Sequence, residues 1–474
     1  MTGTKWNILA AIVNQIIGVG SFILLGRILT PSDFGLFGMV AVVIGFSRLF
    51  IDLGLSKAFI QKKNTVEDDV SSVFWANILL GFLITVVVFC LSGPIAGFYG
   101  YEELQLILQV SSITFLLTSL GITNNALATK EMNFATIANS NMLAKIISSV
   151  TAVLLALNGW GVWALIAYQI VMSCSYSFLI VYNQGWLPKF RFSFQRIKSM
   201  LSFSTNYSLV SIYAYFARKS DEVLLGTYTT AADLGIYSQS YRLMLAPLNL
   251  IKTQLVNVLF PVFSTIQEDH EKLRSISVKL TRILAFIGLP ILGYIWLGAP
   301  RLVPLVLGDE WLEMIPVIQI LIFYALFEIT IFPGAIMLAT GQSKGYLNLM
   351  VAGRTLFFLC IFGGVKIYGL EGLLFGAVLS SALNFLPYVY FSGKRIGLRI
   401  IDVLKACAPS FLITLSSVII VLVIKNWVNL SPDFVFFLLE SVAFASAYIG
   451  LSMIFNTTMC TNFFTRIKNE LNVR

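Results

Sequence analysis

A chain of 474 residues that is 57% hydrophobic and only 12% charged cannot bury its apolar surface in a soluble fold. Lipid must solvate most of it, which leaves α-helices or a closed barrel, and apolar runs of about 20 residues select helices. The net charge of +9 is distributed as membrane topology requires, and it does not mark a nucleic-acid surface.

Segments long enough to span run over 8–28, 35–57, 70–92, 104–128, 138–157 and 161–182. A second series covers 203–226, 235–263, 279–299, 314–340, 345–365 and 369–392, and a last pair covers 404–424 and 434–455. The expected fold is an all-α polytopic membrane protein of about fourteen spans. No small-residue cleavage site follows the first span, which reads as a retained helix and not as a signal peptide.

Positions 24–37 read LLGRILTPSDFGLF and positions 224–237 read LLGTYTTAADLGIY. Leu24, Leu25, Gly26, Thr30, Asp33 and Gly35 recur without a gap as Leu224, Leu225, Gly226, Thr230, Asp233 and Gly235. The copies open spans 2 and 8. An even number of spans separates them, so both enter the membrane in one direction, as parallel repeats about an axis along the membrane normal. Asp33 and Asp233 are placed to cap free N–H groups at a helix start, and Gly35 and Gly235 to permit close entry.

The repeat divides the chain into a lobe over 1–182, a linker over 183–202, a second lobe over 203–393 and an appended pair with its tail over 394–474. The linker, NQGWLPKFRFSFQRIKSM with 201–202, carries basic residues among Trp186, Phe190, Phe192 and Phe194. It reads either as an amphipathic segment on an anionic leaflet or as an ordinary basic loop. With the N-terminus inside, twenty-one basic residues fall on the inner side, in loops or at span ends, against four on the outer side (Arg27, Arg301, Lys366 and Lys425). That asymmetry predicts cytoplasmic termini. Cys90, Cys174, Cys360, Cys407 and Cys460 form no CxxC, and the lone His270 sits in EDHEK. Neither pattern suggests a metal set or a disulfide framework, and no cofactor is expected.

Ionisable groups within spans are expensive, so each is a functional candidate. Arg48 and Asp52 stand four apart in span 2, a spacing that puts them on one helical face. In span 7, Arg218 precedes Asp221 by three residues and Glu222 by four, about fifteen residues from the inner end. Span 8 adds Arg242 and Lys252, span 10 Glu328 and span 11 Arg354. Arg48, Arg218, Arg242, Lys252 and Arg354 are the candidate anion ligands, and Asp52, Asp221, Glu222 and Glu328 the candidate pairing or coupling groups. The same pairs would serve equally to lock helices together.

The stretches GRILTPSDFGLFGMVAVVIGFSRLFIDLGLSKAFIQKK (26–63) and ARKSDEVLLGTYTTAADLGIYSQSYRLMLAPL (217–248) closely resemble the polysaccharide-repeat flippases. These are the Wzx-like branch, with colanic acid exporters, of the multidrug/oligosaccharidyl-lipid/polysaccharide exporter superfamily. The resemblance covers essentially the whole chain. It implies two six-helix bundles forming a V around a cationic cavity, and transport of an undecaprenyl-pyrophosphate-linked oligosaccharide across a bacterial inner membrane. It also implies membrane lipids, a polysaccharide polymerase and a chain-length regulator as partners, and no catalytic residues. A flippase for lipid II or a teichoic-acid precursor remains an alternative. From another class, so does a membrane glycosyltransferase or polysaccharide polymerase, although the outer loops are short for one. No GxxxxGK[ST] phosphate loop occurs. An ion gradient or downhill substrate use would supply the energy.

Overall fold

The computed structural model describes residues 17–62, 65–329, 333–427 and 433–455, and every regular element among them is helical. In chain order these are α1 (Ile17–Ile28), α2 (Pro31–Arg48), α3 (Leu55–Gln61), α4 (Glu67–Tyr99), α5 (Glu103–Lys130), α6 (Phe134–Leu157), α7 (Val162–Gln184) and α8 (Phe194–Tyr228). There follow α9 (Ala231–Thr265), α10 (His270–Val306), α11 (Met314–Ile329), α12 (Pro333–Ala339), α13 (Ser343–Gly393), α14 (Ile400–Trp427) and α15 (Asp433–Phe455). Among the described residues, α4, α5, α6, α7, α10, α13, α14 and α15 contain stretches long and apolar enough to cross a bilayer. The protein is a multi-pass membrane protein.

Two elements depart from simple rods. The expected span 35–57 is broken: α2 stops at Arg48, and α3 begins only after Leu53 (φ 45°) and Gly54 (φ 78°). Two successive left-handed residues cannot continue a right-handed helix, so the spacing rule that joined Arg48 to Asp52 does not apply there. The 51 residues of α13 would measure about 76 Å as one rod, over twice the hydrocarbon thickness. Instead the helix doubles back at Tyr368 and Gly369, the latter at φ 59°. Gly364 and Gly372 face each other across the hairpin, each with the other's carbonyl where a Cβ would sit. Small residues of this kind let helix backbones approach in lipid. The hairpin arms match the expected spans 345–365 and 369–392.

By packing, the chain divides into Met1–Gly235 and Ile236–Arg474. Within the first unit α4 lies along α5, α7 lies on α5 and α6, and α8 lies against α2, α3 and α4. A cluster of Leu55, Phe59, Val73, Ala126 and Ile197 closes one end, with Trp186 packed on it. Because α8 buries Tyr215, Leu224 and Leu225 here, the packing boundary follows α8, whereas the repeat places its boundary in 183–202. Within the second unit α10 packs on α11, α14 and α15, and α13 on α11 and α12. Leu297, Val418, Val421 and Phe444 join the last two helices to α10. At the same site Glu440, almost wholly buried, receives Arg301 at 2.7 Å.

The repeated sequence builds two matching helix starts. Thr30 N–H donates to Asp33 Oδ2 at 2.9 Å, and Asp33 N–H donates back to Thr30 Oγ1 at 3.3 Å. Thr230 and Asp233 repeat both bonds at 3.0 and 3.1 Å. These are reciprocal caps on donors that a helix leaves unpaired. Just beyond, a Cβ on Gly35 would overlap the Ala231 carbonyl, and a Cβ on Gly235 would overlap that of Pro31. Adding two hundred to 31 and 35 gives 231 and 235, so the contact is its own image, as a twofold axis demands.

Candidate functional site

Each unit gathers ionisable groups among tyrosines on its membrane helices. In the first, α8 carries Tyr215, Arg218, Lys219, Asp221 and Glu222 on successive turns. Tyr215 is buried and donates its hydroxyl to the Val42 carbonyl of α2 at 2.7 Å. Glu222 pairs with Lys219, and its N–H donates to Asp221 Oδ1 at 2.9 Å. Arg218, Glu222 and Tyr99 all act electrostatically on Tyr215, and Tyr215 acts in turn on Arg48. Arg48 and Arg218 are both exposed, whereas Asp221 is buried.

The sequence pairing is therefore corrected at two points. The spacing offered Arg218 both Asp221 and Glu222 on one face, yet Glu222 pairs with Lys219 at the three-residue spacing. Asp52 was expected opposite Arg48 on one helical face, yet the chain turns between them. Asp52 instead caps α3, accepting the Ser56 N–H at 3.0 Å and its hydroxyl at 2.6 Å. Because α8 begins at Phe194, Arg218 stands ten residues from Tyr228, about 15 Å from that end.

The second unit brings together two candidates that sequence had placed on separate spans. Arg354 of α13 lies in the field of Glu328 and Tyr324 of α11, Tyr388 of α13 and Tyr241 of α9. The Tyr241 and Tyr324 rings are 6.3 Å apart, and the Arg354 guanidinium stands 6.0 Å from the Phe357 ring. Gly353 makes room: its missing Cβ leaves space for the Tyr388 hydroxyl, and its carbonyl accepts Asn384 Nδ2 at 3.1 Å. A guanidinium with an acid and phenols beside it can bind an anion by charge and polyols by hydroxyl contacts. Arg242 is exposed on α9 next to Tyr241, and Lys252 lies outside the described side chains. Sequence reading missed the tyrosines, whose signal was spacing: Tyr215 is three before Arg218, and Tyr237 four before Tyr241.

A third polar group lies at the linker. Only Gly185–Ser193 is non-helical, a strap laid across the start of α4. Trp75 Nε1 donates to the Lys189 carbonyl at 2.9 Å, and Ser71 and Ser72 accept the Lys189 and Ser193 N–H groups at 3.2 and 3.1 Å. Asp69, fully buried, accepts Lys62 and Arg196 at 2.7 Å each and the Val66 N–H at 3.1 Å. That hydrogen bond to Asp69 raises the pKa of Arg196. Lys130 reaches the Phe59 and Lys62 carbonyls at 3.2 and 2.7 Å. The acidic run Glu67–Asp69 opposite a basic linker was the sequence signal for this clamp.

Comparison with known proteins adds the context. A family profile described as "Polysaccharide biosynthesis protein" matches residues 24–316. The chain is 27% identical over 456 residues to an "Uncharacterized membrane protein in cps region" of Klebsiella pneumoniae, covering 94% of this chain and 93% of its relative. It is 26% identical over 417 residues to the teichuronic acid biosynthesis protein TuaB of Bacillus subtilis (strain 168), covering 87% and 86%. The structure of a lipid II flippase, MurJ in an inward closed conformation, superposes with a TM-score of 0.74 at 16% identity. It covers 96% of this chain and 99% of that one, and at this identity the likeness is one of fold.

Proposed function

As the chain belongs to the polysaccharide biosynthesis protein family, we propose that it is a flippase for lipid-linked oligosaccharide repeat units in surface polysaccharide synthesis. The cargo would be an undecaprenyl-pyrophosphate glycan, moved by alternating access from the inner to the outer leaflet of a bacterial inner membrane. Both termini would be cytoplasmic, in keeping with the loop charges. Residues 1–182 and 203–393 would be the two repeats that change access.

One observation carries the reading: within this family's fold, Arg354 and Glu328 are held among tyrosines on membrane helices. An arginine kept at membrane depth implies a polar ligand or cavity. Arg354, Arg218, Arg48, Arg242 and Lys252 would meet the diphosphate, and tyrosines the sugar hydroxyls. Glu328, Asp221, Glu222 and Asp52 would balance these charges or couple transport to an ion. Moving a lipid head between leaflets makes and breaks no bond, so the protein would act as a transporter and not as an enzyme. A polymerase and a chain-length regulator would use its product.

Vesicle reconstitution tests this. The protein should move a lipid-linked oligosaccharide to the opposite leaflet with its mass unchanged. Arg354→Ala should slow transport about tenfold or more, the effect of losing one charge-assisted contact. Arg354→Lys should recover part, because a point charge lacks the planar fork. A glycan-extended or dephosphorylated product would refute the transporter reading, and normal transport by Arg354→Ala would refute the site.

A further inference from the structure

One more ionisable group lies inside an expected span: Lys145, within 138–157. It is the twelfth residue of α6, whose 24 residues run from Phe134 to Leu157. That puts it about 16 Å from one end of the helix and about 18 Å from the other. From such a depth the flexible lysine stem cannot carry its ammonium to either interface. The side chain crosses to α1, where a Cβ on Gly18 would lie 2.8 Å from Lys145 Nζ, so the glycine leaves the ammonium its place. One turn further on, the Ser21 and Ser149 hydroxyls hydrogen-bond at 2.7 Å between the same two helices. Lys145 is only half-buried. An ammonium with open surface at mid-membrane calls for an anion or a watery cavity beside it.

The repeat says which residue this lysine answers to. Arg354 is likewise the twelfth residue of its helix, α13, which starts at Ser343. Beyond each cation the chain reverses through a glycine of the same uncommon backbone, Gly161 at φ 54°, ψ −133° and Gly369 at φ 59°, ψ −133°. Fifteen residues past Gly161 is Tyr176, and fifteen past Gly369 is Asn384. Asn384 donates to the carbonyl of Gly353, the residue before Arg354, at 3.1 Å. Tyr176 is held level with Lys145, because Ser148 meets Met172 on one side of it and Ser140 meets Asn183 on the other. Its hydroxyl donates to Asn125 Oδ1 of α5 at 2.8 Å. Each unit therefore carries a cation at the same depth of the same helix pair, with a polar side chain of the returning helix at its level.

We propose that Lys145 is the first unit's binding residue for a phosphate-bearing lipid head, the counterpart of Arg354 in the second. This rests on the flippase reading and adds to it that each repeat has an anion site of its own. The two cations differ in what they offer. An ammonium is a compact point charge, whereas the guanidinium adds a planar fork of donors. Lys145 supplies attraction to the phosphate, and Arg354 supplies attraction and orientation.

Binding of undecaprenyl diphosphate to the full-length protein in phosphatidylcholine nanodiscs tests it, with undecaprenol, which lacks the charge, as the control. Lys145→Met keeps the stem and removes the ammonium. It should weaken the diphosphate about tenfold, the effect of one charge-assisted contact, and leave undecaprenol unchanged. Lys145→Arg should bind the diphosphate nearly as well as the parent. Parental affinity for the diphosphate in Lys145→Met, or an equal loss for undecaprenol, would overturn the proposal. Parental affinity together with a lower melting temperature would make Lys145 a structural tie between α1 and α6 instead. Because binding requires no transport, the two readings fail separately. A parent that binds the diphosphate through Lys145 but moves no lipid-linked oligosaccharide across vesicles would support this site and refute the flippase.

Discussion

The glycine crossing between the repeated turns makes the sharpest demand on the sequence. A Cβ at Gly35 would lie closer than 3.0 Å to the Ala231 carbonyl oxygen, where ordinary contact begins at 3.4 Å. The obstacle is backbone on a capped helix end, so no side chain can rotate away. Overpacking of this kind costs about 1–3 kcal/mol, and rigid backbone puts the crossing at the top of that range. Alanine returns about 1 kcal/mol over glycine in a helix interior, so Gly35→Ala should destabilise by about 2 kcal/mol net. Gly97 in α4 has nothing within 4 Å of its would-be Cβ; there the same change keeps only the helical gain, about 1 kcal/mol. The two variants should therefore differ by about 3 kcal/mol, and Gly235→Ala should match Gly35→Ala, because each glycine meets its partner's image. Once one alanine has parted the helices, the second should cost less, so the double variant should fall short of additivity. Unfolding of the purified proteins in one detergent measures all four. A Gly35→Ala protein as stable as Gly97→Ala would refute the steric argument, and a large effect at Gly35 beside none at Gly235 would refute the twofold relation.

The caps at the same turns should be equivalent, with Thr30→Ala and Thr230→Ala each losing about 1 kcal/mol in the same unfolding assay. At the strap, Asp69→Ala and Arg196→Ala should be less than additive in a double-mutant cycle. Arg196 is solvent-exposed, so the coupling should be weaker than that of a fully buried pair; additive effects would refute the clamp. In the second unit Glu440→Leu should destabilise by about 3 kcal/mol, because Arg301, only 21% exposed, would be left without its acid. Adding Arg301→Leu should restore most of that loss, and a double variant as unstable as the single one would show that packing dominates there.

What could be read from the sequence was what depends on neighbours a few residues apart or on the solvent. Lipid forces the backbone into helices of a set length, so the spans at 70–92, 104–128, 345–365 and 369–392 needed no tertiary information. The caps at Asp33 and Asp233 were legible because their partners stand three residues away. The same local logic failed at Arg48 and Asp52, since it assumed a helix where Leu53 and Gly54 adopt positive φ. Glycine at 54 was the warning, and the leucine before it gave none. Arg354 and Glu328 could each be picked out as a charge in lipid, but their meeting depends on how α11 packs on α13, and a single sequence does not contain that. The tyrosines were passed over because a membrane sequence counts them as apolar, although their hydroxyls supply the polar surface that a guanidinium at membrane depth requires. Charge finds where a membrane protein must hold something polar, whereas the residues that complete the site look in sequence like the hydrocarbon around them. Searching apolar spans for tyrosines three or four residues from an ionisable group, as at Tyr215 and Arg218, is the physical rule that would have joined the two.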